Sequence, residues 1–263
     1  MKLMTAWLTG LGLTALASVN VHAVQFGWFG GANPSAAITA SGNTSTALSG
    51  LTAADLVNIQ VLWILNGDNN APNAALTAHA ADVAAFVAGG GVLSYHDRYV
   101  SENDGLSSAN NTLLPGAGAI TFVRNVSTDT QNIDIVTPGP VTTGPGGTLT
   151  NMSLDLGNQS SHGYVLQASI PADGTSVFSR TDPTHIVDFY YPFSAGWVYY
   201  STIPLDFYLS GIGDNPPREN MNTIYAVNEA AFQGALAIPE PGSLALLGLG
   251  LAGYGALRRR KTA

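Results

Sequence analysis

The segment Ile59-Gln60-Val61-Leu62-Trp63-Ile64-Leu65 is an almost uninterrupted run of apolar side chains. The run is too short for a core helix, and it is rich in β-branched and aromatic residues. Apolar side chains on both faces are typical of a strand at the buried centre of a parallel sheet. We therefore predict a central strand over residues 59–65, which ends in a turn at the polar residues 66–70.

A helix and a second strand follow this strand along the chain. Asn73 is a favoured helix N-cap residue, and apolar residues then recur at helical spacing: Leu76, Ala80, Val83 and Val87. Gly89-Gly90-Gly91 ends the predicted helix, and residues 92–95 form the next predicted strand. Because a strand-helix-strand unit has a right-handed crossover, we expect the two strands to lie parallel.

The remainder of residues 24–238 adds strands and a last helix. Strands are predicted at 24–29, 120–124, 133–136, 165–168, 176–179, 186–191 and 197–201, and the helix is predicted over 220–236. A body of this length suits one α/β domain better than two. We therefore predict a single α/β domain over residues 24–238.

The charge of this body excludes several classes of partner. It contains four arginines, no lysine and sixteen acidic residues, which gives a net charge of −12. Such a charge argues against binding nucleic acid or anionic lipid headgroups. Cysteine is absent from the chain. The sequence therefore offers neither disulfides nor thiol nucleophiles, and we predict neither a cofactor nor a metal ligand set.

The first 23 residues have the pattern of a secretory signal peptide. Lys2 gives a positive start, residues 3–19 are mostly apolar, and Val21-His22-Ala23 places small side chains at the positions that signal peptidase reads. Cleavage there would leave Val24 as the new N-terminus.

The segment 239–263 has the pattern of a short membrane helix. Pro239-Glu240-Pro241 precedes uncharged residues 242–257, and Arg258-Arg259-Arg260-Lys261 follows them. A helix of this length covers roughly 24 Å, whereas the hydrocarbon core measures about 30 Å. Because basic clusters stay cytoplasmic, the helix would leave the body outside the cytoplasm.

This arrangement closely resembles the PEP-CTERM sorting signal of Gram-negative bacteria. The matching features are Pro239, Glu240 and Pro241, the short apolar helix, and the arginines Arg258, Arg259 and Arg260. The resemblance implies an exosortase, a membrane-embedded transpeptidase-like enzyme, as a partner. It also implies a precursor tethered to the inner membrane that then reaches the outer surface or an extracellular matrix, where exopolysaccharide is a candidate partner. An ordinary stop-transfer anchor is the alternative.

The body resembles the class I glutamine amidotransferase-like superfamily, including its ThuA-like members. The resemblance is carried by residues 51–66, by 89–96 with the glycine triplet, by Ile135-Val136-Thr137-Pro138-Gly139 with Thr142-Thr143-Gly144, and by Gly196-Trp197-Val198-Tyr199-Tyr200-Ser201. It implies a flavodoxin-like fold: a mostly parallel sheet with helices on both faces. Any site would then lie at the carboxyl ends of the strands.

The resemblance implies the fold of the amidotransferase-like superfamily, but this chain lacks the residues that catalyse glutamine hydrolysis in the catalytic relatives. Glutamine hydrolysis requires a cysteine nucleophile at a sharp turn after a strand, with a histidine base nearby. This chain has no cysteine, and His96 follows strand 92–95 instead. Ser94 lacks the G-x-S-x-G context of a serine nucleophile. We therefore expect no glutamine amidotransferase activity.

Asp68, His96 and Asp97 are the candidate ligand site. They follow the ends of two strands that we expect to be neighbours, and ligands bind at such strand ends in open α/β sheets. Alternatively, His96 and Asp97 cap the strand and pair with Arg98 or Arg124. His162, His185 and Asp188 show no spacing that is typical of metal ligands.

Two functions remain open from the sequence. The first is an exported cell-surface or matrix protein with a non-catalytic domain. The second is a carbohydrate-active or metal-dependent enzyme of ThuA-like type with a site near His96.

Overall fold

The computed structural model describes residues 23–100, 113–214 and 217–237. The predicted sorting segment 239–263 and nearly all of the predicted signal peptide therefore lie outside the described residues. Within the described ranges, no helix is both long enough and apolar enough to cross a membrane.

The described ranges contain twelve strands and several helices. The strands are β1 Gln25–Gly30, β2 Thr44–Ala47, β3 Val61–Asn66, β4 Val92–Asp97, β5 Phe122–Arg124, β6 Asp134–Ile135, β7 Thr143–Gly144, β8 Gly147–Thr148, β9 Gly163–Leu166, β10 Thr175–Ser179, β11 His185–Phe193 and β12 Gly196–Ser201. The α-helices are α1 Ser35–Ala40, α2 Ala53–Leu56, α3 Ala74–Ala78, α4 Ala80–Ala88, α5 Leu205–Leu209, α6 Pro217–Asn220 and α7 Ala226–Ala237. A 3₁₀ helix spans Gln167–Ser169, and a π-helical segment, Met221–Tyr225, joins α6 to α7.

Five parallel strands form the central part of the main sheet, in the order β2-β1-β3-β4-β12. All residues of β3 and β4 are buried. Val61, Trp63 and Leu65 face the core formed with α1 and α7, while Leu62 and Ile64 face the core formed with α2, α3 and α4. The predicted central strand, its parallel neighbour and helices on both faces are thus confirmed.

The other half of the sheet is antiparallel, which the sequence analysis did not predict. Strand β11 pairs with β12 across a tight turn at Ser194 and Ala195, and it also pairs with β10 and with β9. Strand β10 in turn pairs with β6. A two-residue connection can join only antiparallel strands, because a parallel crossover needs a dozen or more residues. The fold is therefore mixed α/β around a parallel centre.

The helices of the structure differ in detail from the sequence predictions. Thr52 and Asp55 form a capping box at the start of α2, with Thr52 Oγ1 accepting from the Asp55 amide. The predicted helix after Asn73 is divided at His79 into α3 and α4. The predicted helix over 220–236 corresponds to the end of α6, the π-helical segment and α7. The buried face of α7 lies against the parallel strands.

Candidate functional site

The three predicted site residues do not converge. His96 and Asp97 are both about 1% exposed, but they are successive residues of β4, so their side chains point to opposite faces of the sheet. Asp68 is exposed, and its Oδ1 accepts a hydrogen bond from the Asn70 amide at 2.7 Å. His96 and Asp97 do lie at the end of β4, but alternation along the strand places their side chains on opposite faces of the sheet.

Asp97 belongs to a buried polar contact on the α4 side of the sheet. Its Oδ1 accepts from Asn66 Nδ2 at 3.0 Å, and its Oδ2 accepts from the Tyr200 hydroxyl at 3.2 Å. Asn66 and Asp97 are partners in the parallel register of β3 and β4. Asp97 therefore ties together the ends of neighbouring strands.

His96 belongs to a buried network beneath α7. Its Nε2 lies 2.9 Å from Glu229 Oε1, and neither side chain is more than 1% exposed. Ser94 Oγ donates to the same carboxylate oxygen at 2.8 Å, and Gln233 Nε2 donates to Ser94 Oγ at 2.8 Å. Ser94 and His96 alternate along β4, while Glu229 and Gln233 are one turn apart on α7. The network thus fastens this helix to the central sheet.

The charge of Glu229 governs the ionisation of His96. Burial opposes a charged imidazole, but the nearby carboxylate and its hydrogen bond outweigh this effect and raise the pKa of His96 above its usual value. The raised pKa favours the protonated imidazole, whose Nε2 lies beside the Glu229 carboxylate.

Asp188 is the centre of a second buried cluster on the same face. Its Oδ2 accepts from the Tyr225 hydroxyl at 2.6 Å and from the Tyr199 hydroxyl at 2.9 Å. Burial raises the pKa of Asp188 to about 6, although hydrogen bonds from Ser201 and Tyr225 oppose the shift. Tyr225 lies in the π-helical segment, a departure from regular helix that is frequent at functional sites.

These clusters contain polar atoms that have no hydrogen-bond partner among the described residues. They are Trp63 Nε1, His96 Nδ1, Asp188 Oδ1, Glu229 Oε2 and Gln233 Oε1. The side chains that carry them are no more than about 1% exposed. A substrate in solution therefore cannot reach them without movement of α7.

An accessible cavity lies elsewhere, at the carboxyl edge of the parallel strands. It has a volume of about 60 Å³ and is lined by Arg98, Asn158, Gln159, His162 and Phe207. Arg98 directly follows β4, and Phe207 belongs to α5, which follows β12. This edge is where ligands bind in open α/β sheets. Within the described residues, no group of three or more His, Cys, Asp or Glu is placed to hold a metal ion.

Residues 237–261 match the family model described as the PEP-CTERM protein-sorting motif. The predicted sorting signal is supported. The match contains Pro239, Glu240 and Pro241 together with Arg258, Arg259 and Arg260. It covers the tail only, so the body of the chain is not assigned to a family by it. No curated protein matches this sequence.

Solved structures resemble the fold at low sequence identity. A cytoplasmic protein from Salmonella typhimurium gives a TM-score of 0.51 at 11% identity, over 80% of this chain and 98% of that chain. An exo-beta-1,4-mannosidase from an Opitutaceae bacterium gives 0.46 at 11% identity, over 80% of this chain and 36% of that chain. A beta-galactosidase from Rahnella sp. gives 0.41 at 15% identity, over 77% of this chain and 26% of that chain. This chain thus spans well under half of the two glycosidases. The likeness to the Salmonella protein, at 11% identity, shows a shared fold alone.

Sequence reasoning missed Glu229 and Gln233 as partners of His96. Both lie on the last helix, for which the sequence analysis predicted only the bounds and no polar contact. Their spacing of four places them on one side of the helix with buried Tyr225 and Ala226. A glutamate within a buried helical face was the available signal that this face meets a polar partner.

Proposed function

We propose that this chain is an exported protein of the cell surface or extracellular matrix, sorted by an exosortase. The match of residues 237–261 to the PEP-CTERM motif carries this proposal. In this account, signal peptidase acts at the N-terminal signal, and the apolar segment 242–257 holds the precursor in the inner membrane until an exosortase processes it. The acidic, lysine-free body suits a hydrated environment outside the cell better than a nucleic-acid partner.

We further propose that the body is a flavodoxin-like, amidotransferase-like domain without glutamine hydrolysis. The parallel strand order β2-β1-β3-β4-β12 follows the 2-1-3-4-5 order of flavodoxin-like sheets, which supports the scaffold. The absence of cysteine from the sequence supports the lack of a thiol nucleophile.

No observation favours the alternative of an enzyme with its site at His96. The imidazole is about 1% exposed, and its Nε2 already contacts Glu229. Ser94 donates to that same carboxylate rather than to the histidine, so the three residues lack the order of a nucleophile, base and orienting acid. We therefore assign His96 a structural role.

The proposal is tested by replacing Pro239-Glu240-Pro241 with three alanines in the producing bacterium. Cell fractions are probed with an antibody against the body. We expect wild-type protein in the surface or matrix fraction and the variant in the inner-membrane fraction. Replacing the exposed residues Thr44 and Thr46 of β2 with alanine is the control, and it should leave the distribution unchanged. Equal surface delivery of the triple-alanine variant would contradict the proposal.

A further inference from the structure

An open groove of about 450 Å³ lies between α2 and α4, at the edge of the sheet where β3 and β4 begin. Its apolar lining includes Leu56, Val57, Ile59 and Phe86, together with the glycine triplet at 89–91. Ligands of open α/β sheets bind at the opposite edge, where the parallel strands end. The position of the groove therefore does not match a substrate site of this fold.

The groove exposes apolar surface that the described residues leave uncovered. Val57 is 72% exposed, and Phe86 is only partly buried although its ring packs over Gly91. Ala53 and Ala85 are exposed, and their small side chains leave the groove open. Removal of apolar surface from water contributes about 25 cal/mol per Å². An apolar segment that enters the groove is therefore stabilised.

The polar residues of the lining already have partners. Gln60 Oε1 accepts from the Gln25 amide at 2.9 Å, and Asp82 Oδ2 lies 3.1 Å from His79 Nδ1. The Asp82 side chain is 39% exposed, so its carboxylate stays in contact with water. Neither side chain requires a polar ligand, and the groove favours an apolar occupant.

The described chain reaches this groove at its own C-terminal end. Ala237, the last residue of α7, is 6% exposed and lines the groove. Pro239 and Pro241 follow, and because proline does not continue a helix, the chain can change direction there. The apolar residues 242–257 begin five positions later, within about 18 Å of Ala237. Such a short tether gives an effective concentration on the order of millimolar at the groove.

The apolar segment has leucines at helical spacing. Leu244, Leu247 and Leu251 would share one face of a helix, whereas Leu246 and Leu249 would share the opposite face. Anchors at positions i, i+3 and i+7 are typical of a helix that lies in an apolar groove. The bilayer is a poor match for this segment, because a helix of about 24 Å is shorter than a hydrocarbon core of about 30 Å.

We infer that the groove between α2 and α4 binds the C-terminal apolar segment of the same uncleaved chain, through the helical face of Leu244, Leu247 and Leu251. The body then shields this segment from water and competes with the bilayer for it. Docking is a property of the uncleaved chain alone. It goes beyond exosortase sorting and does not depend on it.

The test is disulfide formation, because a chain without cysteine allows one engineered pair to be followed without background. The full chain with Val57→Cys and Ala245→Cys is synthesised from purified translation components without membranes, freed of reductant, oxidised and analysed on non-reducing gels. The comparison chain carries Met152→Cys and Ala245→Cys, since Met152 is 74% exposed. Met152 adjoins Ser153, whose carbonyl accepts from Asn220, at the far end of the helical region that finishes at the groove.

We expect the pair at Val57 and Ala245 to form an intramolecular disulfide at least about tenfold faster than the pair at Met152 and Ala245. Equal rates would overturn the docking. Mainly intermolecular disulfides would assign the groove to a second copy and overturn docking within one chain. A chain with Val57→Cys and Leu13→Cys tests the other apolar segment, and an equally fast disulfide there would overturn the choice of occupant.

The short tether alone brings the cysteines together to some extent, so the groove is altered next. Ala85→Arg places a charged side chain in the groove and should slow the disulfide at least about tenfold. Ala78→Arg changes another exposed alanine, on α3 and outside the lining, and should leave the rate unchanged. Equal rates in the two variants would reduce the result to tethering and overturn the docking.

The tail is altered in the same way, which keeps the test decisive if Ala85→Arg fails to fold. Leu244→Ser with Leu247→Ser should slow the disulfide at least about tenfold, because two apolar anchors are lost. Leu246→Ser with Leu249→Ser makes the same change in composition on the opposite face and should alter the rate little. Equal slowing by both pairs would overturn docking through the proposed face. Since neither an exosortase nor a membrane is present, failure here leaves the sorting proposal to its own test.

Discussion

Asp188 is fully buried between Tyr199 and Tyr225, and burial raises the pKa of its carboxyl to about 6. Its unfolded value is about 3.9. Between these two values the folded state holds a proton that the unfolded state has lost, so raising the pH favours unfolding. Asp188 should therefore lower the free energy of unfolding by up to about 3 kcal/mol from pH 4 to pH 7.

Asp188→Asn should remove this slope, as measured by urea denaturation at several pH values from 4 to 7. Relative to the variant, the wild type should lose stability as the pH rises. Asp182→Asn is the control, because Asp182 is exposed and its hydrogen bonds with Thr184 lower its pKa. An unchanged pH dependence in Asp188→Asn would show that Asp188 does not carry the effect.

The buried pair of His96 and Glu229 gives a second prediction at this scale. His96→Ala leaves a buried carboxylate without its partner, which should cost about 3–5 kcal/mol of unfolding free energy. His79→Ala provides a matched comparison, since His79 pairs with Asp82 at 3.1 Å but with side chains 35% and 39% exposed. That loss should stay below about 1 kcal/mol. Chemical denaturation of both variants measures the difference, and equal losses would refute a structural role for His96.

At the scale of elements, β3 is the strand whose buried side chains hold the centre of the sheet together. Trp63 is fully buried, and its ring lies 6.1 Å from Phe26 on β1 and 5.8 Å from His96 on β4. Trp63→Asp should abolish cooperative folding, because an unpaired buried carboxylate costs several kcal/mol. Trp63→Phe should fold and cost about 1–3 kcal/mol, since Trp63 Nε1 has no partner among the described residues. Thermal unfolding followed by circular dichroism distinguishes the two variants, because only Trp63→Phe should unfold cooperatively. A wild-type-like melt for Trp63→Asp would be incompatible with a central strand.

Sequence patterns predicted those helices and strands that are determined by residues adjacent in the chain. The apolar run 59–65 and the glycine triplet at 89–91 identify β3, α4 and β4 without reference to other parts of the chain. The antiparallel half was missed because strand direction depends on pairing between β11 and β12, although the short turn after β11 already excluded a parallel connection. A strand pattern alone carries no direction.

The candidate site was harder to predict for the same reason. Its residues belong to elements that are distant in sequence: His96 and Glu229 are separated by 133 positions. Sequence reasoning selected Asp68, which is exposed, and His96, which is buried. Which side chains point outward at a strand end depends on the register and on the helices that cover each face.

At the scale of the whole molecule, the chain combines an acidic α/β body with a sorting motif at residues 237–261. The buried networks of the body hold α7 on the sheet, and α7 ends at Ala237, where the matched motif begins. In our account the tail provides delivery and the folded body is the delivered cargo. Delivery and folding should therefore be separable by substitution.

The most direct test of this account is the intact mass of the protein recovered from the surface fraction of the producing bacterium, with and without its exosortase. We predict a species that begins at Val24 and lacks residues 258–263. This species should be absent when the exosortase is deleted. A surface protein whose mass includes the complete tail to Ala263 would contradict exosortase-dependent sorting.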